Sequence, residues 1–364
     1  MRKSLSELMN ELDGLPDSYE KLNVLEMAIE LADEEKQIDN AYYLRQEYVY
    51  LAHVFGYAQK ALVAFLWCLE QYDKQPERFD EHELLWQYKW MMGALGGFPQ
   101  LSREKLMTLA SDMQRRFERS GWSLGPVQDA MSALMYFLGD WDASLDYKEK
   151  SMVAEVDGLS DCPACRQQLR VQFNYDKEDY ERVVKESKMI LQGSLRCRTV
   201  PRRTYQVLMD VEFKRGNLEE AMSYLKRLQA CIPYDAQHYI AWLDSVTLLS
   251  FLDNMQAVSL YTKHFAMVLD QEQPFDQMQA FTVGAMVLRQ WEKNNPDEKH
   301  LILGFPAKFP RFTKGGLYDV VSLRLWFETQ AKSIASQFDK RNANSFFSGR
   351  VQRKLTLADT WVSG

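Results

Sequence analysis

An all-α solenoid of helix–turn–helix repeats is the fold this sequence predicts, on three observations. Proline and glycine are scarce, 11 and 17 in 364 residues, which favours helices joined by short connections. Apolar residues recur at helical period in nearly every segment, and no alternating strand or Asn-Gly or Asp-Gly hairpin stands between β-branched runs. Candidate turns recur at Gly56, Gly97, Gly139, Asp176, Gly216 and Asp253, 37 to 42 residues apart. One helical pair per unit of that length marks an α-solenoid, because a lone pair cannot bury its apolar face and stacked pairs can. The turns are too frequent for an uninterrupted coiled coil.

The elements follow in order. Residues 1–38 read as an N-terminal helical cap, with Leu22, Leu25, Ile29 and Ala32 on one face. Residues 39–272 hold six repeat units. The fifth is the most regular, "RTYQVLMDVEFKRGNLEEAMSYLKRLQACIP". There Gly216 takes the turn, Ala221 the small position where paired helices touch, and Leu208, Leu225 and Leu228 the packing positions, while Pro233 closes the second helix. This pattern resembles a tetratricopeptide repeat (TPR). Gly56, Ala61 and Phe65 give a looser match in the first unit. Residues 273–342 read as a helical closure, interrupted by "GFPAKFPRFTKGGLYD" and ending on a stripe of Leu323, Phe327, Ala331, Ile334 and Phe338. Residues 343–364 read as a polar tail, with Phe346 and Phe347 as its docking points.

The stretches "DCPAC", "VPRRTY", "QHYIAWLDSV", "YTKHF" and "FDKRNANSFF", spread over roughly residues 40–345, together resemble a poorly characterised family of bacterial, actinobacterial-type TPR proteins. The resemblance implies a right-handed TPR-like α-α superhelix in a bacterial cytosol and no established activity.

The net charge of −7 disfavours a general nucleic-acid binder. Arg196, Arg198 and Arg202 form a local basic patch in a turn, without an interleaved aromatic platform. The first 22 residues have no apolar signal core, and no run approaches a membrane span. A cytoplasmic protein with reduced thiols is expected, and five cysteines, an odd number, fit that expectation.

Cys162 and Cys197 are 35 residues apart, about one repeat, and Cys165 is one turn beyond Cys162. The register therefore gathers three thiols at one edge of a repeat junction. Small thiols filling that gap are the expected role, with no cofactor. Structural zinc on Cys162, Cys165 and Cys197 is the first alternative, with His238, or less favourably Asp161, as fourth ligand. A thiol-redox or zinc-stabilised enzyme centred on the Cys-x-x-Cys at 162–165 is the second, although the βαβ context of redox motifs is missing. Cys68 and Cys231 fall in second helices and read as core.

No phosphate-binding loop, nucleophile elbow or His-Glu-x-x-His is present, and the five histidines are scattered. The expected function is therefore non-catalytic: recognition of a peptide or protein segment in a concave groove lined by the first helix of each unit. The groove positions are Tyr43, Gln46 and Tyr50 in the first unit, Arg166, Arg170 and Asn174 in the fourth, and Arg203, Gln206, Asp210 and Lys214 in the fifth. Four cations in one stretch suit a partner with acidic groups or a terminal carboxylate, which an arginine fork holds through paired charge-assisted hydrogen bonds.

Overall fold

Helix starts are written into this sequence as side-chain caps. Ser4, Ser18, Asp80, Ser102, Asp140, Asp179, Asp253 and Asp319 each precede a helix and accept a backbone N–H of its first turn. Our computed structural model describes residues 3–233 and 238–360. Two helices come first, α1 (Leu5–Gly14) and α2 (Tyr19–Glu34). Three pairs follow: α3 (Ile38–Val54) with α4 (Ala58–Lys74), α5 (Glu81–Leu95) with α6 (Arg103–Arg119), and α7 (Gly125–Phe137) with α8 (Trp141–Val153). Three more are α9 (Pro163–Asp176) with α10 (Tyr180–Leu191), α11 (Arg202–Lys214) with α12 (Leu218–Ala230), and α13 (Tyr239–Leu252) with α14 (Asn254–Asp270). The chain ends in α15 (Pro274–Asn294), a ribbon of β1 (His300–Ile302) and β2 (Leu317–Asp319), α16 (Val320–Asn342) and α17 (Phe346–Thr360). The ribbon is antiparallel, with Leu301 opposite Tyr318. It is the only sheet among the described residues, so the chain is all-α.

The turns repeat one local solution. Gln37, Tyr57, Asp140, Asp179 and Asn217 each donate a backbone N–H to the carbonyl five residues earlier, closing the preceding helix with the Schellman bond. That bond needs a left-handed residue just before it. Gly216 supplies it in the α11–α12 turn at φ 79°, and Glu178 adopts the same conformation at φ 58° in the α9–α10 turn.

The expected polar tail at 343–364 is, through Thr360, a docked helix; residues 361–364 lie outside the described residues. Phe347, Val351, Leu355 and Ala358 repeat at helical spacing and are buried in the core. The Asp339 carboxylate caps the start of α17, accepting the Phe347 and Ser348 N–H groups at 2.9 and 3.0 Å. Cys68 is buried as expected, but Cys231 is not core: it sits exposed at the C-terminal cap of α12. Among the described residues no helix is long and apolar enough to cross a membrane.

Two large apolar cores result, one from Leu5 to Leu159 and one from Ala164 to Ala358, with a small separate cluster of Ala58, Ala94 and Phe98. Directional bonds to backbone carbonyls join them. Arg341 donates to Gly96 O at 3.0 Å, Phe98 O at 3.1 Å and Phe137 O. Asn342 donates to Phe137 O and Asn344 to Leu138 O, both at 3.0 Å. Gln273 donates to Ala94 O at 2.6 Å. Gly97 is required at this seam, since a Cβ there would lie 2.5 Å from the Gln273 side chain. Burial pushes the Arg341 guanidinium down to about 10, which still leaves it charged at neutral pH.

Arg341→Ala should strand the Gly96 carbonyl at the seam, while Phe98 O keeps the Leu101 N–H and Phe137 O keeps Asn342. At about 1–3 kcal/mol for one unsatisfied group, the expected loss in urea denaturation is about 1–3 kcal/mol. Arg341→Lys should recover only part, because an ammonium cannot reproduce the planar fork. A loss below about 0.5 kcal/mol would show that the seam does not depend on this side chain.

Candidate functional site

Helices α7, α9, α11, α13 and α15 turn one face toward a shared cavity of about 1160 Å³, and α17 lies along it. Its described lining carries ten lysines and arginines against seven carboxylates, on a chain whose net charge is −7. The wall is thus biased toward positive charge where the chain as a whole is negative.

Of the expected groove residues, Arg166, Arg170, Arg203, Gln206, Asp210 and Lys214 line this cavity. Their states differ. Lys214 is already engaged, 2.8 Å from the Asp210 carboxylate and 3.0 Å from the Tyr175 hydroxyl. Burial works against the Lys214 ammonium, but Asp210 and Tyr175 outweigh it and hold the group above the usual lysine range. Gln206 donates to Asp244 at 2.9 Å, and Arg170 reaches the Met152 carbonyl at 3.4 Å. Among the described residues, Arg166 and Arg203 have no carboxylate within ion-pair distance.

The other four expected groove residues are elsewhere. Asn174 is buried in its own helix end, donating to Arg170 O at 2.8 Å while its carbonyl takes the Asp179 N–H. It closes a turn rather than facing a ligand. Tyr43 is an exposed side chain of α3. Gln46 offers its backbone carbonyl to Gln87 at 3.0 Å, and the Tyr50 hydroxyl accepts from Arg198. No α3 residue lines the cavity; Tyr50 instead meets Trp90 of α5 and Arg198 of the α10–α11 connection.

Sequence reasoning missed the contribution of α17. Arg350, Arg353 and Lys354 line the cavity from a helix expected to be a tail. Their i, i+3, i+4 spacing was the available signal, since it places three cations on one helical face. Burial pushes the Lys354 ammonium down, with Asp244 pulling the other way. Burial likewise pushes the Asp129 and Asp244 carboxyls up. Asp129 is nonetheless an exposed side chain on the cavity wall. These shifts share one cause: protein atoms crowded around the wall raise the cost of a charge there.

The three thiols meet at the cavity's edge. Cys162 caps α9, Cys165 sits in its first turn, and Cys197 comes from the α10–α11 connection. Their sulfurs all lie within 4.8 Å of one another. The contact between Cys165 and Cys197 is 3.5 Å, and the Thr199 hydroxyl is 3.4 Å from each of those two. His238 lies outside this group and lines the cavity instead. Asp161 is held by Lys89 at 2.9 Å. Burial pushes the Cys165 thiol up to about 12. Burial also opposes the Cys197 thiolate, but hydrogen bonds from Thr199, Cys165 and Val200 together bring it down to about 7.

Set beside known proteins, the chain matches no family model and no curated protein.

Metal-free, reduced protein should alkylate at Cys197 with a midpoint near pH 7, because the thiolate is the nucleophile and is present above that value. Cys165 should stay unreactive until far more alkaline pH. Peptide mapping of iodoacetamide adducts across a pH series reads both. Equal reactivity of the two sulfurs would show that they do not share a proton as the geometry requires.

Proposed function

We propose that the protein is a non-catalytic TPR-like repeat protein that binds an anionic peptide or protein segment in its central cavity. Six helical pairs spanning residues 39–272 support the repeat reading, with first helices of successive units lining one continuous wall. The observation that carries the binding reading is the pair Arg166 and Arg203, both on the cavity wall and neither in a direct ion pair among the described residues, although Asp129 lies within the field of Arg203. Arg350, Arg353 and Lys354 extend that field from the opposite element. A ligand carboxylate entering here would exchange water for charge-assisted donors on a wall biased toward positive charge. The volume exceeds the usual range for small-molecule pockets, which suits a chain segment better than a metabolite. A cytosolic setting agrees with three adjacent sulfurs kept as free thiols.

Selection from a displayed library of random peptides with free C-termini should enrich acidic sequences. In calorimetric titration of a selected peptide, Arg166→Ala and Arg203→Ala should each weaken binding about 10–100-fold, at about 1.5–3 kcal/mol for each desolvated contact, and the double variant should weaken it further. Added salt should weaken it too. C-terminal amidation of the peptide separates a terminal-carboxylate clamp from recognition of acidic side chains. Enrichment of neutral peptides, or unchanged affinity in a double variant that melts normally, would place the binding surface elsewhere.

A further inference from the structure

We propose that Cys162, Cys165 and Cys197 form a site for one thiophilic divalent cation of the zinc type, bound through three thiolates with its fourth position open toward the cavity. The geometry is already close to that of a three-sulfur site. Zinc–thiolate bonds of about 2.3 Å place tetrahedral sulfurs roughly 3.8 Å apart. Here the nearest pair is 3.5 Å apart and all three sulfurs fall within 4.8 Å. Small side-chain rotations bring them onto one ion.

The sulfurs come from two separate parts of the chain, a helix start and an inter-repeat connection 32 to 35 residues later. Only the folded repeat junction assembles them. An all-sulfur donor set selects against magnesium and calcium, which require oxygen. Cys162 and Cys165 sit at the N-cap and in the first turn of α9, where the helix dipole offsets part of a thiolate's charge. The Thr199 hydroxyl, 3.4 Å from Cys165 and from Cys197, stands where an outer partner would orient those ligands.

Among the described residues no fourth protein ligand joins the group. His238 is outside it, and Lys89 holds the Asp161 carboxylate at 2.9 Å. Closed structural zinc sites use four protein ligands, whereas three leave a position for water or a ligand atom. Cys165 lines the cavity, so the open position faces the space where a ligand would enter. The metal site stands on the sulfur geometry alone and does not need the anionic-peptide reading.

The test is titration of reduced, metal-free full-length protein with Co²⁺, then Zn²⁺, in a buffer that does not chelate. One Co²⁺ per chain should bind, with thiolate-to-metal charge-transfer absorption and the visible bands of four-coordination, and one equivalent of Zn²⁺ should displace it. Cys162→Ser and Cys197→Ser should each weaken binding by more than the roughly 10–100-fold that loss of an outer partner costs. Cys162 is exposed, so its serine variant should fold, as melting temperature will verify. Cys231→Ser and His238→Ala should leave the spectrum unchanged. Absence of stoichiometric binding, or the same spectrum and affinity in Cys162→Ser, overturns the proposal. Formation of a Cys165–Cys197 disulfide in protein that takes up no metal after reduction also overturns it and assigns the cluster to thiol redox chemistry.

Discussion

One guanidinium ties the ends of this chain together. Arg341 leaves the last turn of α16 and donates to carbonyls of Gly96, Phe98 and Phe137, about 200 to 245 residues away in sequence. Those carbonyls lie at the ends of α5 and α7, where helix termini leave acceptors without intrahelical donors. A cation there also complements the negative end of each helix. Packing continues outward from the contact: Phe275, Phe338, Phe346 and Phe347 gather around Tyr136 and Phe137 in edge-to-face pairs. The path of α17 follows from this anchorage, because Asp339 caps its start and Asn344 holds the preceding turn to Leu138 O. Without that fixed origin, Arg350 and Lys354 would have no defined place on the cavity wall.

The repeats were legible in the sequence because their signals are local. Each turn is closed by bonds spanning five residues, and each buried face recurs at helical period, so both can be read in a short window. Five of the six expected turn centres fall between paired helices; the fourth, Asp176, is the last residue of α9, and the turn is centred two residues on at Glu178. The seam was not legible. Arg341 and Asn344 look like surface residues in "FDKRNANSFF", and nothing nearby in sequence says that distant carbonyls await them. The same limit explains the groove. Counting back from turns placed Arg166, Arg203, Gln206 and Lys214 on the cavity, since helix phase is local. It also selected Asn174, which faces its own turn, and Tyr43 and Tyr50, whose surroundings are set by packing against distant elements. The basic face of α17 was present in the spacing, but a helix without a known docking site gives no reason to aim it at a cavity.

The division into two cores at 159–164 gives the thiol stretch its position. Leu159 ends the first core and Ala164 begins the second, with "SDCP" between them. Lys89, from α5, reaches across to Leu159 O at 2.8 Å and Asp161 at 2.9 Å. Lys148, from α8, reaches Asp176 at the end of α9 at 2.6 Å, and both side chains are largely buried. An apolar seam would tolerate sliding, because dispersion and burial change little with a small shift. Charge-assisted bonds to fixed carbonyls and carboxylates do not, since they weaken steeply with angle and leave desolvated groups unpaired. The polar seam therefore sets the register of α9 against α5 and α8. That register holds Cys162 and Cys165 at the cavity edge, while the next repeat brings Cys197 to within reach of both. Cavity charge and sulfur cluster are thus positioned by one set of directional contacts, and a shift in α9 would move Arg166 and Cys165 together.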